Sequence, residues 1–388
     1  MEEKGFKMPA PRPKRGRGRG RGSGRGDTQN VDEDPEGLPK RFVPEVAADE
    51  PETGRAEIKL TNDDAAESKL SAVELGYYED NFLRFFARVK QRRPPLINRG
   101  YFARVMALRK LIQGFLSAEL SSTDIKTPKQ IVCFGAGFDT TFFQLRSKGI
   151  IRDEVVYFEL DFPSVVRNKM KVILAYEELF ALAFGSAEGS ASEEKAQLHG
   201  SNYHIAGVDL SSLSGLERTA KEIGIDPNKP TLFMSECVLI YVQPQESAAV
   251  IQWAAGFVAG VFLTYEMIRP DDPFGRMMVK NLEGRGVILP GLRARPDLQD
   301  QQESYLSLGW ERVDVLDMND VYDCFLDRPL VARAARLEIF DEMEEWRLIQ
   351  GHYCIVCAVK EGSSFSGFFS NLRLVKGIVH PRFIREDM

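Results

Sequence analysis

Residues 130–141, with the sequence QIVCFGAGFDTT, decide the fold class of this chain. The apolar run QIVCF has the composition of a buried strand, and it leads directly into a glycine-rich turn. Glycine at positions 135 and 137 lets the backbone approach a ligand closely. Asp139 then stands where the N-cap of a following helix is expected. A strand, a glycine turn and a helix in this order are typical of a parallel sheet that binds ligands at the carboxyl ends of its strands.

Apolar runs typical of buried strands recur along the chain after this turn, and segments with helical periodicity separate them. One such segment begins at Pro244, where proline suits the first turn of a helix. The seven predicted strands are 130–136, 155–162, 203–210, 231–242, 260–268, 311–318 and 352–359. We therefore predict an α/β domain with a seven-stranded, mostly parallel sheet and helices on both of its faces.

The N-terminal part of the chain differs in composition from the rest. Residues 1–26 contain nine Lys or Arg against two Glu and include the repeat RGRGRGRGSGRG, whereas residues 27–57 contain ten Asp or Glu against three basic residues. A segment this poor in apolar side chains cannot bury enough surface to offset the entropy of ordering. We predict a disordered tail over residues 1–62. Weak contacts with RNA or protein, a nuclear address, and a solvated appendage without a specific partner all remain open for it.

The ordered domain is predicted to span residues 63–361. Within it, the low-complexity segment GSAEGSASEEK at 185–195 lies between the second and third predicted strands, so we expect a surface insertion there. Residues 362–388 follow the last predicted strand and form an appendage whose role the sequence does not indicate. The formal net charge of -6 resides in residues 58–388, because the basic residues 1–26 and the acidic residues 27–57 cancel. Such a body is a poor non-specific binder of nucleic acid.

Cysteine usage and hydropathy indicate an intracellular protein. The five cysteines are odd in number and scattered, which is typical of free thiols in a reducing compartment. Cys354 and Cys357 form a C-x-x-C inside a predicted strand, where alternation would point the two thiols to opposite faces. The sequence shows no signal peptide and no apolar run of the ~20 residues that span a bilayer. We expect a soluble, cytoplasmic monomer without a membrane partner, and the basic tail also fits a nuclear location.

Acidic side chains end successive predicted strands. Asp161 ends the second strand, Asp209 precedes Leu210 at the end of the third, and Glu236 lies in the fourth. A carboxylate after the second strand can accept hydrogen bonds from both hydroxyls of a ribose. Acidic surroundings also favour a cationic sulfonium and an adenine amino group, whereas they would repel a pyrophosphate. The alternative interpretation is that each carboxylate caps the helix that follows its strand.

Arg104 is the basic residue that the helical pattern directs inward. It belongs to the stretch INRGYFARV and shares the apolar side of a predicted helix with Leu108, Leu111 and Phe115. An inward-facing arginine needs a partner. It either forms a structural ion pair or holds an anionic ligand through the planar fork that suits carboxylates.

Two other classes of protein fit parts of this pattern. An NAD-dependent oxidoreductase would share the fold, but Thr140 occupies the third glycine position of the dinucleotide motif, which argues against a bound pyrophosphate. A non-catalytic module that binds RNA or protein would depend on the basic tail instead of the strand ends. Neither class accounts for carboxylates at three strand ends.

Taken together, several stretches resemble the leucine carboxyl methyltransferase family. They are INRGYFARV, FGAGFDTTF, YFELDFP, GVDL, SECVLIY, FDEMEEW and HYC, and they extend over roughly residues 63–360. The resemblance implies the Rossmann-like fold of S-adenosylmethionine-dependent methyltransferases, in which seven strands is the common number. It further implies methyl esterification of the C-terminal leucine of the protein phosphatase 2A catalytic subunit, which regulates assembly of that phosphatase. The tail, the insertion and the C-terminal appendage lie outside the resemblance.

The resemblance also implies a set of residues that contact the methyl donor, S-adenosylmethionine, and it implies that Arg104 serves catalysis. The contact residues are Lys69, Arg104, Gly135, Asp161, Asp209, Leu210 and Glu236. Lys69 lies in ESKLSAVELGYY, a short and variable motif. No metal ligand is implied.

Carboxylate methylation explains why the sequence lacks the common catalytic motifs. It contains no G-x-S-x-G, no G-x-x-x-x-G-K and no spaced histidine pair. A carboxylate is already ionised at neutral pH, so the reaction needs positioning and no general base. The tRNA-modifying carboxyl methyltransferases of wybutosine synthesis are the alternative within the resemblance. Those enzymes carry additional repeat domains, for which we expect no room in this chain.

Overall fold

The structure is a computed structural model that describes residues 56–87, 90–119, 127–185 and 189–376. In the first helix, side chains are described from Thr61 onward. The predicted tail therefore lies largely outside the described residues. The first helix nevertheless begins at Ala56, six residues before the predicted end of the tail at residue 62.

Helices and strands alternate along most of the described chain. The helices are α1 (Ala56–Glu74), α2 (Leu83–Phe86), α3 (Pro95–Ser117), α4 (Thr141–Ser147), α5 (Pro163–Ala175), α6 (Glu177–Phe184), α7 (Leu213–Glu222), α8 (Pro244–Ala255), α9 (Pro273–Glu283), α10 (Leu298–Ser307), α11 (Met318–Asp320), α12 (Arg328–Ala334) and α13 (Met343–Gln350). The strands are β1 (Lys129–Phe134), β2 (Val155–Asp161), β3 (Ser190–Ser192), β4 (Gln197–His199), β5 (Tyr203–Gly207), β6 (Thr231–Glu236), β7 (Ala259–Met267), β8 (Arg312–Asp317) and β9 (Tyr353–Glu361). No helix in these ranges combines the length and apolarity needed to cross a bilayer.

The strands form one sheet in the order β3-β4-β5-β2-β1-β6-β7-β9-β8. The five neighbouring strands β5, β2, β1, β6 and β7 are parallel to one another. In contrast, β9 lies between β7 and β8 and is antiparallel to both. Each predicted strand corresponds to one of β1, β2 and β5–β9, so the α/β class and the mostly parallel sheet are confirmed. The parallel strands place their carboxyl ends at a common edge, which positions the site.

The predicted count of seven strands was wrong, because nine strands form the sheet within the described residues. The two additional strands, β3 and β4, are a short hairpin that starts within the predicted insertion at 185–195 and pairs with the outer edge of β5. Ser190–Ser192 has exposed and polar side chains without the apolar alternation that identifies a strand in a sequence. Pairing to an otherwise open edge holds this hairpin in place.

Two apolar layers cover the two faces of the sheet. On one face α1–α6 pack in a layer rich in aromatic residues, and on the other α7, α8 and α10 pack around Phe134, Phe233 and Phe262. Cys354 and Cys357 belong to opposite layers and are free thiols, as strand alternation predicted.

The C-terminal segment after β9 packs onto the domain as far as residue 376. Phe369 is fully buried and stacks on Phe115 near the end of α3, with ring centroids 5.6 Å apart. Arg373 forms an ion pair with Asp314 of β8, at 2.9 Å between Nε and Oδ2. The first part of the predicted appendage thus supports α3, the helix that carries Arg104.

Candidate functional site

The glycine turn after β1 is held in a conformation that other residues rarely adopt. Gly135 and Gly137 have φ angles of 58° and 50°. The Gly135 amide donates to the Leu160 carbonyl at 2.7 Å, which links the turn to β2. A Cβ atom at Gly137 would overlap the side chain of Asn62 on α1. Left-handed φ angles and close packing therefore both require glycine here.

Asp161 at the end of β2 is fixed by backbone amides. Its Oδ2 accepts a hydrogen bond from the Gly137 amide at 2.6 Å, and its Oδ1 accepts one from the Phe162 amide at 2.6 Å. These bonds join the second strand to the glycine turn and favour the ionised carboxylate.

Four charged side chains meet beside the turn, and we call them the charge cluster: Lys69, Arg104, Asp139 and Glu236. Lys69 Nζ on α1 lies 3.2 Å from Glu236 Oε2 and 3.5 Å from Asp139 Oδ2. Arg104 Nε on α3 donates to the other Glu236 oxygen, Oε1. All four side chains are only 12–14% exposed. Glu236 at the end of β6 thus bridges two helices that approach the sheet edge.

Mutual contacts keep Lys69, Arg104 and Asp139 ionised. Burial alone would lower the pKa of Lys69, but Glu236 and Asp139 outweigh it and raise that pKa. Burial would likewise lower the pKa of Arg104, yet Glu236 raises it well above its usual value. Burial would raise the pKa of Asp139, but Lys69, Lys169 and the Thr141 amide lower it. Two cations and at least one carboxylate therefore persist at neutral pH.

Arg104 presents an open guanidinium edge. Its Nε is used by Glu236, whereas neither terminal nitrogen has a hydrogen-bond partner among the described residues. The guanidinium stacks over the Tyr265 ring at 4.3 Å and lies 5.4 Å from the Tyr101 ring centroid. Tyr265 in turn stacks on Tyr353 of β9 at 5.3 Å. The aromatic rings fix the plane of the guanidinium and leave its two terminal nitrogens for a ligand.

The chain turns sharply after β6, where the predicted strand 231–242 ends early at Glu236. Cys237 has a φ of 55°, and its amide donates to the Tyr265 carbonyl at 2.8 Å. The next amide, that of Val238, donates to Glu266 Oε1 at 3.3 Å. This turn directs Glu236 toward α1 and α3.

Glu266 makes stability depend on pH. Burial raises its carboxyl pKa to about 7, although Arg295 and backbone amides act in the opposite direction. Because the folded-state pKa lies above the unfolded value, the protonated Glu266 carboxyl contributes to the free energy of unfolding. This contribution is fully present below pH ~4.5 and is lost as the pH rises to about 7. We expect the stability of Glu266→Gln relative to wild type to increase between pH 5 and pH 8 by on the order of 1–2 kcal/mol. Urea unfolding at both pH values measures this difference in stability. The control is Glu303→Gln, at an exposed position of α10. A difference that does not change with pH would contradict the assignment.

The structure brings together five of the seven sequence-predicted residues at one edge. Lys69, Arg104 and Glu236 are in direct contact, and Asp161 and Gly135 lie at the turn beside them.

The remaining two predicted residues, Asp209 and Leu210, follow β5 at the same edge and make no direct contact with the charge cluster. Asp209 Oδ1 accepts hydrogen bonds from the Ser211 amide and hydroxyl, at 3.0 and 2.8 Å. Asp209 thus closes the turn before α7, whereas the helix cap expected in the alternative interpretation is Ser212. Leu210 is buried in the apolar layer with Leu216 of α7.

Sequence reasoning missed several neighbours of the site. The predicted N-cap at Asp139 was wrong by one residue, because the N-cap of α4 is Thr140. Asp139 Oδ1 accepts from the Thr141 amide, and its Oδ2 pairs with Lys69, which the sequence did not indicate. Asn62, whose Oδ1 accepts from the Phe138 amide at 2.8 Å, fell inside the predicted tail. The position of Tyr101 three residues before Arg104 could have indicated that the two share a helix face.

A small cleft with a cavity volume of about 30 Å³ opens beside the charge cluster. Its walls include Lys69, Asp139, Thr140 and Glu236, together with Arg109 of α3. The cleft combines apolar walls with a few charged groups that converge on one point. This composition is common for small-molecule sites at the carboxyl ends of parallel strands.

Comparison with known proteins identifies relatives of this chain. The sequence profile of the family described as leucine carboxyl methyltransferase matches residues 45–255. Leucine carboxyl methyltransferase 1 homolog of Arabidopsis thaliana is 41% identical over 325 residues, which cover 84% of this chain and 95% of that protein. The human tRNA wybutosine-synthesizing protein 4 is 37% identical over 302 residues, which cover 78% of this chain and 44% of that protein. Among solved structures, a putative methyltransferase from Thermobifida fusca aligns with a TM-score of 0.45 at 13% identity, covering 76% of this chain and 94% of that one.

Proposed function

Because the chain belongs to the leucine carboxyl methyltransferase family, we propose that it methylates the C-terminal leucine carboxylate of the protein phosphatase 2A catalytic subunit. The methyl donor is S-adenosylmethionine, and the product is a methyl ester that regulates assembly of the phosphatase. Methyltransferase activity follows from the family. The phosphatase as substrate and partner, a cytoplasmic location and a monomeric state are proposals.

The main observation that supports this proposal is the open guanidinium edge of Arg104. Two terminal nitrogens in one plane match the two oxygens of a carboxylate. Glu236 and the rings of Tyr101 and Tyr265 hold that plane in place before any ligand arrives. A substrate with a free C-terminal carboxylate therefore fits a group that is already oriented.

The residues at the strand ends suit S-adenosylmethionine. Asp161 is held ionised by amides at the end of β2, where it would accept the ribose hydroxyls, and Gly135 lets the backbone approach the ligand. Asp139 and Glu236 place carboxylate oxygens beside the turn, where both pair with Lys69. When bound, S-adenosylmethionine supplies an electrophilic methyl group.

The protein's task is then to bind and orient the acceptor. A carboxylate is ionised at neutral pH and attacks without a base. The three histidines within the described ranges form contacts elsewhere: His352 with Asp272 at 3.0 Å, and His199 with His204 at 3.3 Å. Arg104 would hold one carboxylate while Lys69 keeps Glu236 neutralised, so the acceptor oxygen is fixed and partly shielded from water.

Asp161→Ala is expected to weaken S-adenosylmethionine binding by roughly 1.5–3 kcal/mol, the usual scale for hydrogen bonds to a charged group. Isothermal titration of the cofactor measures the change. Asp226→Ala serves as a matched control, because that carboxylate also accepts a backbone amide, from Asn228, but precedes β6 at the opposite edge. Equal affinities for both variants and wild type would remove Asp161 from the site.

Labelled S-adenosylmethionine tests the proposed reaction directly. The enzyme is incubated with the phosphatase catalytic subunit, with the same subunit lacking its terminal leucine, and with bulk tRNA. We expect base-labile label only on the intact subunit. Label that resists mild base, or equal label on the shortened subunit, would refute esterification of the terminal carboxylate.

The relationship to tRNA wybutosine-synthesizing protein 4 supports a second candidate, methylation of a carboxylate on a modified tRNA base. The same guanidinium edge would serve that carboxylate. The chain spans less than half of that relative's length, compared with 95% of the Arabidopsis protein. Label transferred to tRNA and absent from the phosphatase would select this candidate.

Removal of residues 1–55 is expected to leave folding and methyl transfer unchanged, because this segment has the composition of a disordered tail. Asn62 contacts the glycine turn, so a cut after residue 65 should weaken cofactor binding by severalfold. Thermal unfolding and steady-state methylation measure both variants. An inactive but folded chain beginning at residue 56 would show that the tail belongs to the site. Weak RNA or protein contacts of the tail are a separate proposal.

A further inference from the structure

A second lysine, Lys169 of α5, lies entirely inside the protein directly beneath the glycine turn. Its side chain is 2% exposed. The ammonium lies 2.5 Å from Glu159 Oε2 and donates to the backbone carbonyl of Asp139 at 2.7 Å. A buried ammonium needs such partners, because an isolated charge in the interior is very costly.

Lys169 and Lys69 hold the same residue from two sides. Lys69 on α1 pairs with the Asp139 carboxylate, while Lys169 on α5 binds the Asp139 carbonyl. Asp139 is the last part of the turn that starts at Gly135, and its carboxylate belongs to the charge cluster. The Asp139 amide donates to the Ala136 carbonyl at 2.9 Å within the turn, and Lys169 binds the Asp139 carbonyl from α5. The position of the Asp139 carboxylate therefore depends in part on Lys169.

Glu159 connects this anchor to the strand that ends in Asp161. Its Oε2 also accepts the Tyr203 hydroxyl at 2.9 Å, and Tyr203 stacks on Phe142 of α4 at 4.2 Å. Its Oε1 is buried without a hydrogen-bond partner among the described residues. Burial raises the pKa of this carboxyl to about 7, although Lys169 acts in the opposite direction.

This pair is poorly suited to stabilising the fold. Buried ion pairs are often matched or exceeded in stability by neutral side chains of similar volume, and an unpartnered oxygen adds to the cost. The pair does, however, fix Asp139 relative to β2, α4 and α5. The pair therefore serves mainly to position Asp139 and contributes less to the stability of the fold.

We propose that Lys169 is a positioning residue for the methyl donor, which holds the Asp139 carbonyl so that the glycine turn and the charge cluster keep the geometry that binds the cofactor. The proposal rests on the proposed function only in taking S-adenosylmethionine as the ligand of this edge. Lys169 itself makes no contact with the ligand in this role.

The test distinguishes an effect on cofactor affinity from an effect on thermal stability by removing the charges of both Lys169 and Glu159. Lys169→Met alone leaves Glu159 uncompensated, so it should lower both thermal stability and cofactor affinity. In Lys169→Met/Glu159→Gln no buried charge is left unpaired, and the amide oxygen that replaces the carboxylate can still accept from Tyr203. We expect the double variant to recover most of the stability, while its Kd for S-adenosylmethionine stays roughly 5- to 20-fold above wild type.

Lys129→Met is the matched control. Lys129 is also 2% exposed and also binds a carbonyl, that of Leu116, and a carboxylate, that of Glu119. It lies at the amino end of β1, roughly 20 Å from the glycine turn for six residues of strand. This variant should lose stability and keep the wild-type Kd.

A double variant that regains stability and binds S-adenosylmethionine within twofold of wild type would overturn the proposal. Failure of the double variant to fold, while Lys129→Met folds, would assign the pair to stability and overturn it equally. Titration of cofactor needs no acceptor substrate. If the wild-type protein binds S-adenosylmethionine but does not methylate the phosphatase, the proposed substrate fails while the role of Lys169 is still decided by affinity.

Discussion

Arg104→Ala is expected to lower kcat/KM for methylation of the phosphatase by about 2–5 kcal/mol of transition-state stabilisation, the range for truncating one member of a buried charge pair. The loss has two physical sources. The acceptor carboxylate loses its planar two-point contact, and Glu236 loses one of its two cations. Steady-state kinetics with the folded variant measures the effect.

Arg104→Lys separates charge from geometry. An ammonium keeps the positive charge near Glu236 but cannot present two parallel donors, so this variant should also be impaired. If Arg104 served only as a structural ion pair, Arg104→Ala would lose thermal stability while the folded fraction kept its turnover number. A folded Arg104→Ala enzyme with near wild-type kcat/KM would refute the placement of Arg104 in the active site.

Glu236→Ala is expected to destabilise the fold by about 3–5 kcal/mol and to abolish measurable cofactor binding. The substitution leaves Lys69 and Arg104 as two buried cations with only Asp139 nearby, and an uncompensated buried charge is strongly destabilising. Urea unfolding of wild type and variant gives the stability difference, and cofactor titration gives the binding loss.

Glu236→Gln and Glu119→Ala provide the comparisons for this result. The glutamine variant keeps an oxygen that can accept from one cation, so its loss of stability should be smaller. Glu119 pairs with buried Lys129 but is 44% exposed, and water can replace it. An unchanged unfolding midpoint for Glu236→Ala would show that α1 and α3 do not depend on this carboxylate.

Apolar runs predicted the sheet well because the strands in its middle are largely apolar and buried. β1 and β6 are buried at nearly every position, which is the signature of a strand covered on both faces. The hairpin of β3 and β4 escaped prediction because its stability derives from pairing with β5 and not from its own composition. Tertiary contacts of this kind leave no local pattern.

The site was predictable where chemistry is local and unpredictable where it depends on packing. Arg104 could be placed because helical spacing directs it inward, and the glycine turn because only glycine tolerates its φ angles. Asn62 and Tyr265 could not be placed at the site from the sequence, because their roles arise only when α1 and β7 meet the turn. The same limit applies to Lys169, whose partners Glu159 and Asp139 are ten and thirty residues earlier in the chain.

The place of β9 in the sheet also constrains how the enzyme is made. Among the strands of the described residues β9 comes last in the sequence, yet it lies between β7 and β8. Both neighbours therefore remain unpaired along one edge until residues 353–361 have left the ribosome. Non-local pairings of this kind slow folding and expose strand edges that can aggregate. Tyr353 of β9 stacks on Tyr265, which in turn holds the plane of Arg104. The guanidinium therefore reaches its working orientation only after nearly the whole chain has been synthesised.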